Sequence, residues 1–528
     1  MPNLLPLPEI PDDQKTPLVL HLLEVLRYQS ELIQSLRDEI AILKGQKPKP
    51  KIKPSGMNEK SEKTEDQSKS DNSDKRPGSA KRKKTAELEI HETKVITAEV
   101  IPEGSVFKGY KDFVVQGIVI ETHNTIYRME RWQTPDGTYV EGNLPASVQG
   151  HFDSTLVSFI LYQYHQCHVT QPLLLEQLGE YGVDISAGQL NQILNEDNKM
   201  FHKEKDDIIV TGLAVSSYIQ VDDTGARHQG NNGVCTHIGN DLFAWFKSTD
   251  SKSRINFLEL LRADRTDYHL NEDALSYMQL RKLPVIQFEL LKGGQIYFAD
   301  KEQWEAHLKK LDISQERHIR IATEGVLIGG LFEHGFNRNL VILSDDAGQF
   351  NILLHALCWV HAERTIYKII PFNEDQRLAL ETIRKQIWDL YFDLKAYKIC
   401  PSIAQKVSLE KRFDKIFQEQ TCFVTLNLAL KRLYSNRVEL LLVLDRPDIP
   451  IQNNASESDI REYAKRRKVS GGTRSASGRR SRDTFTSLKK TCRKLGVSFW
   501  VYLKDRITGT CEIPDLSVLI RQKAGAAT

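Results

Sequence analysis

The sequence predicts an α/β fold with helical insertions, preceded by an N-terminal coiled coil and a small strand-rich unit. Three observations carry that prediction. Two short apolar runs, SYIQVDDTG at 217–225 and NLVILSDDAGQF at 339–350, have strand-like composition, and each leads into adjacent carboxylates and a turn. Long segments between and beyond them repeat apolar residues at helical spacing. Near the N-terminus apolar residues recur as a heptad seam.

The elements follow in order. Residues 1–17 are expected to be a flexible N-terminus. In 18–44, Val19, Leu26, Ile33 and Ile40 occupy every seventh place, and Leu22, Gln29, Leu36 and Leu43 follow three residues behind, so only Gln29 interrupts the seam. Such a helix either self-associates as a coiled coil or packs on its own chain. Residues 45–86 lose their apolar content and end in KRPGSAKRKK, the signature of a disordered basic linker. Residues 87–150 alternate in patches such as KVITAEV and KDFVVQGIVIETHNTIYRMERW, which suggests the strand-rich unit. Residues 151–210 are helical, with Thr170 and Ser186 placed to cap two helices across a Gly-containing turn. That shape suits a helix-turn-helix-like DNA-binding region, or equally a three-helix piece of core, because its second helix carries few basic residues.

At 528 residues with 40% hydrophobic content, the chain can bury a substantial core. Its 72 basic and 70 acidic residues nearly cancel, but the basic ones gather near 44–84 and 461–494, a distribution suited to a polyanion. Seven cysteines without a CxxC pair suggest neither a disulfide framework nor a cysteine-rich zinc site, and a reducing, cytoplasmic setting is expected. The N-terminus lacks a basic start followed by an apolar core, and no stretch of 18 apolar residues occurs, so neither secretion nor a membrane partner is expected.

The two acid pairs are the first functional clue. If the strands ending in Asp222 and Asp345 are neighbours, their carboxylates share a site that needs a cation or a proton between them. Two metal ions roughly 4 Å apart can activate a nucleophile and stabilise a departing oxygen in phosphoryl transfer. Glu457 is the best third carboxylate, because a basic run begins four residues later at Arg461 and continues through Lys465, Arg466, Arg467 and Lys468. Taken singly, an Asp after a strand is more often a turn former, and Glu457 reads as an exposed helix residue or a partner of Arg461. Cys358 and His361 share a helix face, where a packed cysteine and a hydrogen-bonded histidine are the usual reading, although His361 lies close enough in sequence to Asp345 to approach the same site.

Arranged in this order, the motifs resemble the transposases of the bacterial Insertion Sequence 66 group, with the Asp-Asp-Glu chemistry of the ribonuclease-H-like superfamily. The family's strand into Asp-Glu-Thr is matched by Asp222-Asp223-Thr224, and its strand into Asp-Gly-Tyr with a following aromatic by Asp345, Gly348 and Phe350. Its Cys-Trp-Ala-His looks like Cys358, Trp359, Val360 and His361, followed by Arg364. Its Asn-Asn-x-x-Glu-x-x-x-Arg is given by Asn453, Asn454, Glu457 and Arg461, followed by Arg467-Lys468, and YLKDR at 502–506 resembles its closing segment.

The resemblance implies a ribonuclease-H-like core within 211–470, interrupted by an insertion at about 262–339 and a helical one at about 365–450, with a basic C-terminal segment at 471–528. It implies Asp222, Asp345 and Glu457 as metal ligands rather than Asp223 or Asp346, with His361, Arg461, Asn453 and Asn454 in support. The expected ion is Mg2+, with Mn2+ as a substitute. Lys465, Arg466, Arg467, Lys468, Arg479 and Arg480 would contact DNA. The implied reaction cleaves transposon ends and joins the exposed 3′-hydroxyl to target DNA, with accessory proteins of the same element, a homo-oligomer formed through the heptad seam, and a nucleoid-associated location. Alternatives are a nuclease of the same fold without strand transfer, and a noncatalytic DNA-binding descendant. Two departures stand out: residues 45–166 contain no cysteine where the family often carries a zinc-binding segment, and the usual Glu after the first Asp is Asp223.

Overall fold

The computed structural model describes residues 16, 19, 26, 29, 90–98, 100–145, 148, 150–263 and 265–526. The chain divides into two units, Met1–Val119 and Ile120–Thr528. In the first, Val19, Leu26 and Gln29 are helical and Leu26 is exposed. The seam positions Leu22, Ile33, Leu36, Ile40 and Leu43, and the linker at 45–86, lie outside the described residues. The described part of 90–119 contains no strand.

The strand-rich unit expected at 87–150 therefore reduces, among the described residues, to one hairpin: β1 (Arg131–Gln133) pairs antiparallel with β2 (Tyr139–Glu141). The alternation of the preceding segment is real, but Phe113, Val115 and Ile118 are exposed. Period-two patterning marks residues able to pair, and it supplies no partner strand.

Four helices follow: α1 (Ser154–His165), α2 (Gln171–Glu180), α3 (Ala187–Asn195) and α4 (Lys199–Val215). Ser186 closes a capping box with Gln189, whereas Thr170 holds the cap position of α2 without a side-chain bond. Next come β3 (Tyr218–His228), β4 (Asn231–Gly239) and β5 (Ala244–Thr249). Gln229 and Gly230 turn β3 into β4 with positive φ at both positions, the geometry a two-residue hairpin requires.

Residues 254–333 fold as α5 (Arg254–Leu261), β6 (Tyr268–His269), α6 (Glu272–Leu280), α7 (Val285–Lys292), β7 (Tyr297–Phe298), α8 (Lys301–Lys310) and α9 (Glu316–Glu333). Then β8 (Val341–Ser344) and β9 (Leu354–Leu357) lead into α10 (Trp359–Tyr367), α11 (Glu374–Ile399), α12 (Ile403–Phe417), α13 (Val424–Ser435) and α14 (Arg437–Leu441). The chain ends with α15 (Asn454–Ser470), α16 (Ala476–Leu495), α17 (Phe499–Thr508) and α18 (Leu516–Gly525). Among the described residues no helix is long and apolar enough to cross a membrane.

One mixed sheet organises this unit, in the order β5-β4-β3-β8-β9. The first three strands are antiparallel, while β8 is parallel to β3 and β9 to β8. Its two faces bury different partners. Ile219, Val221, Ile238, Trp245 and Ile342 join a core with the helices of 154–333 and 476–520. Val341, Leu343, Ala356 and Leu357 join a second core with the helices of 359–444. Ala226, Cys235, Ala244 and Phe246 receive Ile460 and Tyr463 of α15.

β3 corrects the sequence expectation of a short strand ending at its acids. The parallel ladder to β8 stops at Gln220, but the antiparallel ladder to β4 runs on to His228, so Asp222 and Asp223 sit inside the strand. The polar residues and glycine after Val221 read as a turn because nothing local reveals that β4 supplies their hydrogen bonds.

The basic C-terminal segment also has a structural task. On the outer edge of β5, the amides of Ala244, Phe246 and Ser248 donate to Thr491 Oγ1 (3.1 Å), Ser487 Oγ (2.9 Å) and Asp483 Oδ2 (2.7 Å) of α16. Four helical residues rise about 6 Å and two strand residues about 6.6 Å, so the spacings nearly match. Tyr502 and Arg506 of the YLKDR segment bind the buried Glu204 of α4: its Oε2 accepts from the Tyr502 hydroxyl at 2.6 Å and from Arg506 Nε at 3.0 Å.

α9 packs closely on α6. A Cβ on Gly325 would lie 2.9 Å from the Ala274 carbonyl and 2.8 Å from Met278 Cε. The carbonyl belongs to a helix and cannot yield alone, so Gly325→Ala is expected to lower stability by about 1–3 kcal/mol. Thermal unfolding of the variant checks this; an unchanged midpoint would contradict the packing described.

Candidate functional site

Continuing the parallel pairing of Gln220 with Leu343 by two residues places Asp222 beside Asp345, on the same face of adjacent strands. Asp345 follows directly after β8 and its Oδ1 accepts from the Ala347 amide at 3.1 Å. Glu457 arrives from above on α15. Asn453, at the helix N-terminus, donates from Nδ2 to the Val221 carbonyl at 2.8 Å, and its amide donates to Cys358 Sγ at 3.2 Å. Glu457 follows one turn later and its amide closes on the Asn453 carbonyl at 3.1 Å. The three acids therefore face one region where β3 outruns β8, near enough for Asp345 and Glu457 both to act on the Asp222 charge.

Register sends the neighbouring acids elsewhere. Asp223 points to the opposite face, where it accepts from Thr236 Oγ1 at 2.6 Å and Gln349 Nε2 at 2.9 Å and lies 3.8 Å from Lys252 Nζ. Asp346 pairs with Arg432 of α13 at the surface. The turn after Asp345 is pinned from α5: Arg254 Nη2 donates to the Gly348 carbonyl at 2.7 Å, and Phe350 is buried edge-on against Phe257.

Cys358 and His361 have different tasks. Cys358 is buried as an acceptor for Asn453, and Trp359 Nε1 donates to the Leu440 carbonyl at 2.8 Å. His361 looks into the site, with Nε2 3.5 Å from Glu457 Oε1 and 3.2 Å from Arg364 Nη1. Burial lowers its pKa, while Glu457 and Asp345 raise it and Arg364 opposes them.

His237 is a site residue that sequence reasoning missed. It stands opposite Asp222 on β4 and touches α15 twice, by a hydrogen bond of 2.7 Å between Nδ1 and Ser456 Oγ and by Nε2 lying 3.4 Å from Asp459 Oδ2. Its only signal is the strand register, which a single sequence does not display. Burial works against ionised Asp459, but His237 and Lys494 outweigh it and hold its pKa well below the usual carboxylate value.

The basic candidates separate by exposure. Arg461, Lys465 and Lys468 are exposed, and at helical spacing they continue the face of α15 that presents Glu457. Arg461 Nη2 lies 3.6 Å from Glu457 Oε2. Arg467 is half-buried and donates from Nη1 to Thr224 Oγ1 at 3.2 Å. Arg466 corrects the expectation of a DNA contact: it is 4% exposed, stacks 4.0 Å over Tyr164 and donates to that residue's carbonyl at 2.6 Å. One face of α15 must be core, and Arg466 falls on it. Arg479 bonds Asp250 at 2.6 Å, Arg480 lies 3.8 Å from Asp206, and Asn454 is exposed in the first turn of α15.

The acid cluster carries an electrostatic penalty. Burial pushes the Asp222 carboxyl from its ordinary 3.8 up to about 6; the Asp223 amide pulls the other way, and the charges of Asp345, Asp223 and Glu457 add to the rise. Glu457 Oε1 is buried with no hydrogen-bond partner among the described residues. The three acids offer carboxylate oxygens, a set suited to a hard divalent ion, with His361 beside them.

Residues 332–481 match the family described as Transposase IS66 family, a stretch that includes Asp345, His361 and Glu457 and begins after Asp222. The chain is also 42% identical over 318 residues to "Uncharacterized protein y4jO" of Sinorhizobium fredii (strain NBRC 101917 / NGR234), covering 59% of this chain and 99% of that protein.

The raised Asp222 pKa has a defined pH signature in the presence of a chelator. The folded state holds this proton more tightly than the unfolded chain, so the associated stability is complete below about pH 3.8 and is lost as pH rises to about 6. Asp222→Asn is expected to remove that dependence and to stabilise the metal-free protein at pH 7.5 by up to about 3 kcal/mol. Thermal melts across pH 4–7.5 measure both effects, and a variant melting below the parent at pH 7.5 would contradict the assignment.

Proposed function

Because the chain belongs to the Insertion Sequence 66 transposase family, we propose that it is a DDE transposase with a ribonuclease-H-like core whose Asp222, Asp345 and Glu457 hold two Mg2+ ions. The observation that carries this reading is the in-register placement of Asp222 and Asp345 beneath the helix that brings Glu457. The mixed sheet, with one acid on its central strand β3 and the other directly after the parallel neighbour β8, supports the core assignment. The Glu457 oxygen, which has only a 3.5 Å contact to His361 and no hydrogen bond, and the burial and neighbouring charges that raise Asp222 support a cation among these side chains. Mn2+ offers the same preference for oxygen donors.

When bound, the ion pair would supply an activated oxygen nucleophile and stabilise the departing oxygen of phosphoryl transfer. The chain's own residues then have distinct roles. Asn453 sets the height of Glu457 above β3, and His361 restrains the Glu457 carboxylate from the other side. Arg461, Lys465 and Lys468 present positive charge along one helix face leading away from the acids, suited to the phosphates of transposon-end or target DNA. Arg467 acts at one remove, by tying α15 to Thr224.

The decisive assay is Mg2+-dependent 3′-end cleavage and strand joining on DNA bearing the element's own termini, with its accessory proteins supplied. Asp345→Asn is expected to abolish both steps by more than about 100-fold, since loss of a residue that merely supports a ligand already costs 10–100-fold. Asp346→Asn, which breaks only a surface pair with Arg432, is expected to retain most activity. Cleavage without joining would favour a nuclease, and neither reaction from folded native protein would favour a noncatalytic DNA-binding role. Independently of activity, Mg2+ or Mn2+ is expected to raise the melting temperature of the native protein but not of Asp222→Asn; equal shifts would reject Asp222 as a ligand.

A further inference from the structure

We propose that Asp267, His269 and His334 form a Zn2+ site that fastens the base of the region inserted between β5 and β8. Nε2 of His269 and Nε2 of His334 both lie 2.6 Å from Oδ2 of Asp267. The two imidazole rings meet at 85° with centroids 5.2 Å apart, so their nitrogens converge from different directions. Two imidazoles and a carboxylate are a zinc donor set, and the nitrogen donors separate this site from the carboxylate centre at Asp222. Opening each 2.6 Å contact to the roughly 3.3 Å edge of a tetrahedron with bonds of about 2.0–2.1 Å admits the ion. A fourth position remains for solvent on the side of His334, whose side chain is 30% exposed.

The surrounding backbone is built for this convergence. Arg262 Nη1 donates to the Asp267 carbonyl at 2.8 Å and its Nη2 to the Arg265 carbonyl at 2.7 Å, which fixes the turn before β6. His269 is held on β6 by its pairing with Tyr297, and His334 caps the C-terminus of α9 ahead of Gly335 at φ +76°. On α9, a Cβ at Gly329 would meet the His269 carbonyl at 2.4 Å. The absence of a side chain there lets the β6 backbone reach the last turn of the helix and brings the two histidines onto one carboxylate.

Asp267 and His334 are 67 residues apart and bracket β6 through α9. An ion held by both would cross-link the segment that enters the inserted region to the helix that leaves it. The chain from His334 runs within a few residues into β8, which delivers Asp345. Zn2+ would thus act as a structural fastener, with its contribution to folding set by the binding free energy.

The test uses full-length protein stripped with a chelator, then dialysed against Zn2+ in excess Mg2+, with bound zinc measured by elemental analysis. One equivalent is expected for the native chain and for Asp345→Asn. His269→Gln, His334→Gln and Asp267→Asn are each expected to weaken binding by about 100-fold or more and to lose the zinc-induced rise in melting temperature. Each variant's own metal-free melt is the reference for its zinc-induced rise, which separates loss of the site from the stability lost with the Asp267 hydrogen bonds themselves. If a variant does not fold, Co2+ added to the native protein decides: four-coordinate absorption with nitrogen ligation supports the site, and its absence overturns it. Sub-stoichiometric zinc in the native protein, unchanged zinc in His334→Gln, or loss of zinc in Asp345→Asn would each overturn the proposal.

Discussion

Three carboxylates held on one face of a sheet repel one another, and the architecture around them has to resist that repulsion. Asp222 sits inside the β3–β4 ladder and cannot retreat without breaking it, and Asp345 is held directly after β8 by the turn in which its Oδ1 accepts from the Ala347 amide. Glu457 could retreat, because it rides on a helix. Asn453 at the start of α15, the His237 contacts in its first turns, and Ile460 and Tyr463 against the sheet hold that helix down. Electrostatic strain at the centre is balanced by hydrogen bonds and apolar contact on either side.

The same economy explains how the motif residues divide. In the CWVH run, His361 faces the acids while Cys358 and Trp359 are buried supports, one accepting from Asn453 and the other donating to Leu440. Along α15 the division follows helical phase: Arg461, Lys465 and Lys468 are outside, Arg466 is inside, and Arg467 is tied to β3. A run of adjacent basic residues cannot all meet one ligand, because consecutive residues on a helix point 100° apart.

Much of this was legible in the sequence, and what was not has physical causes. The two apolar runs ending in acid pairs are strands, and Ser186 with Gln189 is a capping box, because both signals are local. The length of β3 was hidden because its second half depends on β4. Before residue 130 no strand occurs among the described residues, where the alternation is present without a pairing strand beside it. Arg466 looked like its neighbours because burial is decided by α1, which is remote in sequence. The cluster of Asp267, His269 and His334 has only a D-x-H triplet as its sequence trace, its third member lying beyond four intervening helices and strand β7.

The match between α16 and β5 has a consequence for association. An edge strand normally presents unpaired amides that recruit a strand from another chain. Here Thr491, Ser487 and Asp483 saturate the outward amides of β5 with side chains from a helix. The edge is hydrogen-bonded yet offers no template, so the sheet ends at β5 in a way that an incoming polypeptide cannot extend. Helix α16 thereby acts as a built-in cover that keeps the central sheet from serving as a sticking surface between chains.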